Sequence, residues 1–135
     1  MRADSRSLRA LKTRTFARWA KREGLTDDVL AAALSEMAKG LIDARLGGGV
    51  VKKRIASGEQ GKRGAYRVLV ASNLTDRWVF VFGFAKNERD NIEDKELKLL
   101  KTLAAVFLAM DEATLARAIA AGDLVEIQHG KQETA

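Results

Sequence analysis

Basic side chains at seven positions could do chemistry on a phosphate, because they cluster on and beside three short segments of apolar sequence. Ammonium and guanidinium groups that lie close together attract a polyanion and can bind its phosphate oxygens directly. The pattern predicts a surface that binds the phosphates of RNA. The seven residues are Lys52, Lys53, Arg54, Arg63, Arg67, Lys86 and Arg89.

The alternation of side chains along a strand divides the first basic run between two faces. Lys52 and Arg54 share one face, whereas Lys53 shares the other with Val51 and Ile55. Because the face with the two aliphatic residues is the expected core side, Lys52 and Arg54 project together away from the core. Lys53 must then extend its amine to the surface or lie at an edge of the sheet.

Arg67 lies in a second predicted strand, on the face opposite Tyr66 and Val68. An arginine inside a short apolar strand is unusual, and it is either an anion-binding residue or a partner in a surface ion pair. Arg63 belongs to the glycine-rich segment just before this strand, where it adds general attraction for RNA.

The segment from Lys86 to Asn91 joins a predicted strand to a predicted helix and carries two cations together with Asn87. Backbone amides and cationic side chains converge where a strand ends and a helix begins, which favours phosphate binding. The alternative is a capped junction in which Arg89 pairs with Glu88 or Asp90.

Other chemistries find little support in the composition. The chain has no cysteine, and its one histidine, His129, falls in the predicted tail. Neither a hydrolytic triad nor a zinc site of the usual kind is therefore expected. Glycines 47 to 49 lack the spacing of a nucleotide-binding loop and predict a turn. The acidic pairs are explained as helix caps, so we predict no metal and no cofactor.

The net charge of +6 is spread unevenly along the chain. Residues 1–67 hold 16 Lys and Arg against 7 Asp and Glu, a balance of +9, whereas residues 68–135 hold 8 against 11, a balance of −3. The first half favours a nucleic-acid partner over an anionic membrane, because no basic amphipathic helix dominates. The alternative is a solvated basic face with no partner. The longest apolar run, Trp78 to Ala85, is too short to cross a bilayer, and we expect a cytoplasmic protein.

Hydrophobic periodicity predicts an α+β fold: one strand, two helices, three consecutive strands and then helices. The strands should form an antiparallel meander sheet, covered by the N-terminal helix pair and by the C-terminal helices. We predict a single domain over residues 8–128, with flexible segments at 1–7 and 129–135. The predicted strands are 8–13, 50–56, 65–71, 77–85 and 124–127, and the predicted helices are 15–23, 27–40, 94–110 and 112–122.

Four motifs occur in order on these elements, namely Phe16–Ala20, Gly47–Arg54, Gly64–Arg67 and Gly83–Asn91. Together they resemble the RelE/ParE superfamily of bacterial toxins, and the RelE/HigB-like branch most closely, over about residues 8 to 110. The resemblance implies a RelE-like fold and a toxin of a type II toxin-antitoxin system. In the RelE branch, this means an endoribonuclease that cuts messenger RNA on the ribosome. A protein antitoxin, expected to be a helix-turn-helix DNA-binding protein, holds it inactive.

The resemblance also assigns roles to the residues at matching positions. Lys52 is the candidate general base, because positive neighbours favour the neutral form of an amine. Arg67 is expected to bind the scissile phosphate through its planar guanidinium group. Arg89 completes the predicted catalytic set by orienting a flanking phosphate. The other predicted RNA contacts are Lys53, Arg54, Arg63, Lys86 and Asn87.

One departure from the family pattern keeps other functions open. The RelE pattern has a tyrosine shortly after the junction, where this chain has Asn91, Ile92 and Glu93. The only tyrosine is Tyr66, predicted on the face opposite Arg67. The alternatives are therefore a ParE-like inhibitor of DNA gyrase and an RNA-binding module without catalytic activity.

Overall fold

The computed structural model describes residues 8–56 and 65–128. The predicted tails at 1–7 and 129–135, and the segment 57–64 with Arg63, lie outside the described residues. The described elements are β1 (Arg9–Thr13), α1 (Arg14–Glu23), α2 (Asp27–Ala38), β2 (Ala44–Gly47), β3 (Val50–Ala56), β4 (Ala65–Ser72), β5 (Arg77–Ala85), α3 (Asp94–Ala109), α4 (Glu112–Ala121) and β6 (Leu124–Glu126).

The described strands form one sheet in the order β2-β3-β4-β5-β1-β6. β1 pairs with β5 in parallel, and the other neighbouring strands are antiparallel. β5 therefore lies inside the sheet, as its nearly continuous apolar sequence predicts. The α+β class and the RelE-like arrangement expected from the sequence are confirmed.

The sheet has a core on each face, and β5 contributes to both. Trp78 and Phe80 belong to the core under α1 and α2, whereas Val79 and Val81 belong to the core under α3 and α4. This alternation follows from the period of two along a strand. A register shift between Phe80 and Phe82 then puts Phe82 and Phe84 on the same face as Val79 and Val81. The predicted helix pairs thus cover opposite faces.

The helix starts were predicted correctly where a capping residue marks them. Thr26 accepts a hydrogen bond from the backbone N of Val29 at 3.2 Å, and Asp111 accepts one from Thr114 at 2.8 Å. These side chains satisfy amides that have no partner within their helix. α2 ends at Ala38 rather than at Gly40, because the chain already leaves the helix at Lys39.

The short strand β2 was not predicted from the sequence. Its residues Ala44–Gly47 include no β-branched side chain, so the usual strand signal is absent. The strand exists because a tight connection through Gly47, Gly48 and Gly49, all with φ between 63° and 85°, folds it back onto β3. Only glycine adopts such dihedrals readily. The predicted turn at these glycines is confirmed.

Gly83 leaves room for an aromatic ring on the α1 side of β5. A Cβ atom at this position would lie 2.3 Å from Cζ3 of Trp19. Trp19 is itself held by ring contacts with Phe16 and Tyr66, at centroid distances of 5.4 and 5.7 Å. The ring therefore has little freedom to move away.

We expect Gly83→Ala to lower the free energy of unfolding by about 1–3 kcal/mol, the usual cost of overpacking a core. Urea denaturation measures the change. In a Trp19→Leu background, Gly83→Ala should lower the free energy of unfolding by less than it does in the parent, because the smaller side chain removes the clash. An equal loss in both backgrounds would show that the Trp19 contact is not the cause.

Candidate functional site

Basic and aromatic side chains form two adjacent rows across β3, β4 and β5. In the first row Arg54 is paired with Arg67, which is paired in turn with Phe84. In the second row Lys52 is paired with Leu69, which is paired in turn with Phe82. Side chains directly opposite each other on neighbouring strands are about 4.5–5.5 Å apart at Cβ. The sheet therefore brings Lys52, Arg54 and Arg67 together on the face that α3 and α4 cover.

Arg54 and Arg67 are an unfavourable pair for the fold alone. Like charges directly opposite each other destabilise a sheet. Arg54 is exposed and Arg67 is half-buried, and the Nη1 atom of Arg67 is buried with no hydrogen-bond partner among the residues that the structure describes. A buried donor without a partner costs free energy. An anion bound between the two guanidinium groups would remove both penalties.

Asn91 links two of the predicted catalytic residues. Its Oδ1 atom lies 3.5 Å from Nζ of Lys52, and its backbone oxygen accepts a hydrogen bond from Nε of Arg89 at 3.2 Å. The same Oδ1 accepts a hydrogen bond from the backbone N of Ile92 at 2.9 Å, which fixes the side chain. The sequence placed Asn91 in the junction motif and at the departure from the family tyrosine, but it did not predict this contact with Lys52.

Arg89 lies between two phenylalanine rings and a carboxylate. Its Cζ atom is 5.7 Å from the ring centroid of Phe82 and 5.2 Å from that of Phe84. Both nitrogens of its fork donate to Glu96 on α3, with Nη1 3.3 Å from Oε2 and Nη2 bonded to Oε1. The ion pair thus joins Arg89 to Glu96, seven residues along the chain, and not to Glu88 or Asp90 as the alternative proposed.

The contact with Arg89 changes the proton affinity of Glu96. Hydrogen bonds from the Arg89 side chain, and then from the backbone of Glu93, hold the pKa of Glu96 below its ordinary value of 4.5. The lowered pKa means that the folded state favours the ionised carboxylate. This stabilisation is present above pH 4.5 and is lost as the pH falls through the folded-state pKa.

We therefore expect Glu96→Gln to destabilise the protein at neutral pH and to have progressively less effect as the pH falls below 4.5. Urea denaturation of both proteins between pH 7 and about pH 2 measures the difference. A difference that stayed constant over this range would contradict the assignment of the stabilising charge to Glu96.

Lys53 lies away from the other cations, on the opposite face of β3. It is 7% exposed, and its Nζ atom lies 2.7 Å from Oε1 of Glu36 and 3.1 Å from the backbone oxygen of Leu41. The alternation of β3 predicted this face correctly. The predicted RNA contact of Lys53 does not fit the position, because the amine is held against the end of α2.

Tyr66 also lies on the face opposite Arg67, as its place in β4 predicted. It belongs to the core under α1 and α2, and its hydroxyl donates to Oε1 of Glu23 at 3.2 Å. Burial raises the pKa of Tyr66, and the hydrogen bond with Glu23 raises it further. Tyr66 therefore cannot stack on a base held at Arg67.

Lys86 and Asn87 are exposed at the start of the junction between β5 and α3. The backbone N of Lys86 donates to the backbone oxygen of Ala65 at 2.9 Å, which holds the junction beside the first residue of β4. The structure thus places both residues at the strand end that was predicted for them.

Within residues 8–56 and 65–128, no group of three or more His, Cys, Asp or Glu side chains is arranged to hold a metal ion. In the same part of the chain, none of the helices is long and apolar enough to span a membrane.

A family model matches most of the chain. The family model of RelE, described as the RelE toxin of the RelE / RelB toxin-antitoxin system, matches residues 8–127. The match spans every described element, and it confirms the family resemblance of the four sequence motifs. The search of curated proteins found no match.

Proposed function

The chain belongs to the RelE toxin family of toxin-antitoxin systems, and from that premise we propose that it is a ribosome-dependent endoribonuclease that cuts messenger RNA and so inhibits translation. The observation that carries the proposal is the opposed pair of Arg54 and Arg67, together with the buried Nη1 of Arg67, which has no hydrogen-bond partner within residues 8–56 and 65–128. This arrangement raises the free energy of the folded protein, and a bound anion would offset that cost.

The reaction we propose is attack of the RNA 2′-hydroxyl on the adjacent phosphorus. Lys52, in its neutral form, takes the hydroxyl proton on Nζ while the oxygen forms the new bond to phosphorus. The bond from phosphorus to the 5′-oxygen then breaks, and that oxygen takes a proton from solvent water. The products are a 2′,3′-cyclic phosphate and a 5′-hydroxyl end.

Stabilisation of the phosphate is the step that the cluster supports best. Negative charge builds up on the phosphoryl oxygens in the transition state, and fixed donors aimed at that charge lower the barrier. Arg67 would bind these oxygens, with the exposed Arg54 beside it. Arg89, held above Phe82 and Phe84, would bind a flanking phosphate.

The role that we propose for the ribosome is to orient the message. Attack by the 2′-hydroxyl requires the nucleophile and the leaving oxygen to be in line, and holding reactants in such a geometry accelerates a reaction by orders of magnitude. A sheet surface of cations binds phosphates without fixing the sugar. The decoding site would supply that constraint.

The antitoxin is the partner that the family implies. We propose that it is a helix-turn-helix DNA-binding protein and that an acidic segment of it covers Arg54 and Arg67, because opposite charge would satisfy the same donors as RNA. A reading frame beside the gene that encodes such a protein would support this part of the proposal.

Expression of the chain in bacteria tests the function. We expect growth to stop, protein synthesis to fall and messages to carry new ends within coding regions, while plasmid supercoiling by DNA gyrase continues. Arrest with intact messages and inhibited gyrase would contradict the proposal and support the ParE-like alternative. RNA binding with neither arrest nor cleavage would support a non-catalytic binding module.

A further inference from the structure

The carboxylate of Glu96 is fixed at two points in the first turn of α3. Its Oε1 atom accepts a hydrogen bond from the backbone N of Glu93 at 2.8 Å, as part of a reciprocal capping box. The same oxygen accepts a hydrogen bond from Nη2 of Arg89, and Oε2 accepts one from Nη1 at 3.3 Å. The start of the helix therefore determines where the guanidinium group lies.

Arg89 is held on three sides by these contacts. Glu96 takes two of its N–H groups, the backbone oxygen of Asn91 takes a third, and Phe82 and Phe84 lie against the guanidinium plane. A guanidinium group has five N–H donors, so two have no acceptor among the described residues and remain for a ligand. The Arg89 side chain is 33% exposed, which leaves these donors a route to a ligand.

We propose that Glu96 is a positioning residue, which fixes Arg89 so that its two remaining N–H groups meet a phosphate of the bound RNA. This inference rests on the proposed function of the cluster. The ion pair also neutralises much of the charge of Arg89, so that Arg89 contributes direction to the site more than long-range attraction for RNA.

This division of roles predicts opposite effects on RNA binding and on cleavage. Glu96→Gln removes a negative charge near the RNA, so the affinity for RNA should stay the same or rise. Arg89 loses its charged anchor, so kcat for cleavage should fall, by up to about 100-fold if the guanidinium group moves by about 1 Å. Damage to the fold would instead weaken both binding and cleavage.

Glu93→Gln is the matched control, because Glu93 belongs to the same capping box and forms no hydrogen bond with Arg89 in the described part of the chain. We expect its kcat and KM to remain close to those of the parent. In an Arg89→Ala background, Glu96→Gln should have no further effect on kcat, since it acts through Arg89. Additive losses in the double variant would overturn the proposal.

NMR of the Arg89 Nε–H group tests the positioning without reference to activity. In the parent protein we expect a resolved resonance with slow exchange, because Nε donates to Asn91 and the fork is clamped by Glu96. Glu96→Gln should shift this resonance and speed its exchange, whereas Glu93→Gln should not. An unchanged Arg89 resonance in Glu96→Gln would overturn the proposal even if the protein cuts RNA. A changed resonance in a protein that cuts no RNA would locate the failure in the proposed function.

Discussion

Replacing Arg67 with methionine should nearly abolish RNA cleavage and leave the fold at least as stable as before. The guanidinium group of Arg67 has a buried Nη1 atom with no hydrogen-bond partner among the residues that the structure describes. Loss of one donor to a developing negative charge typically lowers kcat by about 100-fold to 1000-fold. The rate of cleavage of a ribosome-bound message, measured by primer extension, gives the change directly.

The stability of the same variant separates function from folding. Arg67→Met removes the like charge opposite Arg54, and it removes a buried donor that has no partner in the described part of the chain. We therefore expect the free energy of unfolding to stay the same or to rise by up to about 1 kcal/mol. A large loss of stability would show that Arg67 supports the fold, and the assignment to phosphate binding would fail.

Lys53→Met is the matched control for this experiment. Lys53 is a neighbouring cation on the opposite face of β3, paired with Glu36. The substitution also replaces a basic side chain with methionine, but we expect cleavage to change less than about twofold and the free energy of unfolding to fall by about 1 kcal/mol. Equal losses of cleavage from both substitutions would mean that total charge matters and the arrangement of Arg67 does not.

The second large effect is expected for Lys52→Arg. Arginine keeps the positive charge and its attraction for RNA, but its guanidinium group does not lose a proton near neutral pH. If Lys52 is the general base, cleavage should fall by about 100-fold or more while RNA affinity is nearly unchanged. Single-turnover cleavage and fluorescence anisotropy measure the two quantities separately.

The cleavage rate of Lys52→Arg separates two roles for Lys52. If the Lys52→Arg variant cut RNA at the rate of the parent, this would contradict the role of Lys52 as the general base. Lys52 would then be a phosphate-binding residue like Arg54.

Strong local patterns predicted most of the fold, and long-range pairing accounts for what was missed. The apolar run of β5 and the caps at Thr26 and Asp111 determine structure within a few residues, so the sequence located them. β2 was not predicted because its stability comes from pairing with β3 and not from its own residues. The parallel pairing of β1 with β5 joins segments more than 60 residues apart, and no local pattern encodes it.

The candidate site shows the same division between local and long-range information. Alternation along β3 placed Lys52 and Arg54 on one face and Lys53 on the other, and the structure agrees. The pairing of Arg89 with Glu96 differs from the expected alternative, a pairing with the neighbouring acids Glu88 or Asp90. The partner is brought close by the turn from the junction into α3, which depends on the tertiary structure.

The most direct test of the central claim is cleavage of a defined message by the purified protein, with and without purified ribosomes. We predict new RNA ends within the message when ribosomes are bound to it, little cleavage of the same RNA alone, and almost none with Arg67→Met in either case. A ribosome-bound message that remained intact with the parent protein, or that Arg67→Met cut equally fast, would contradict the account.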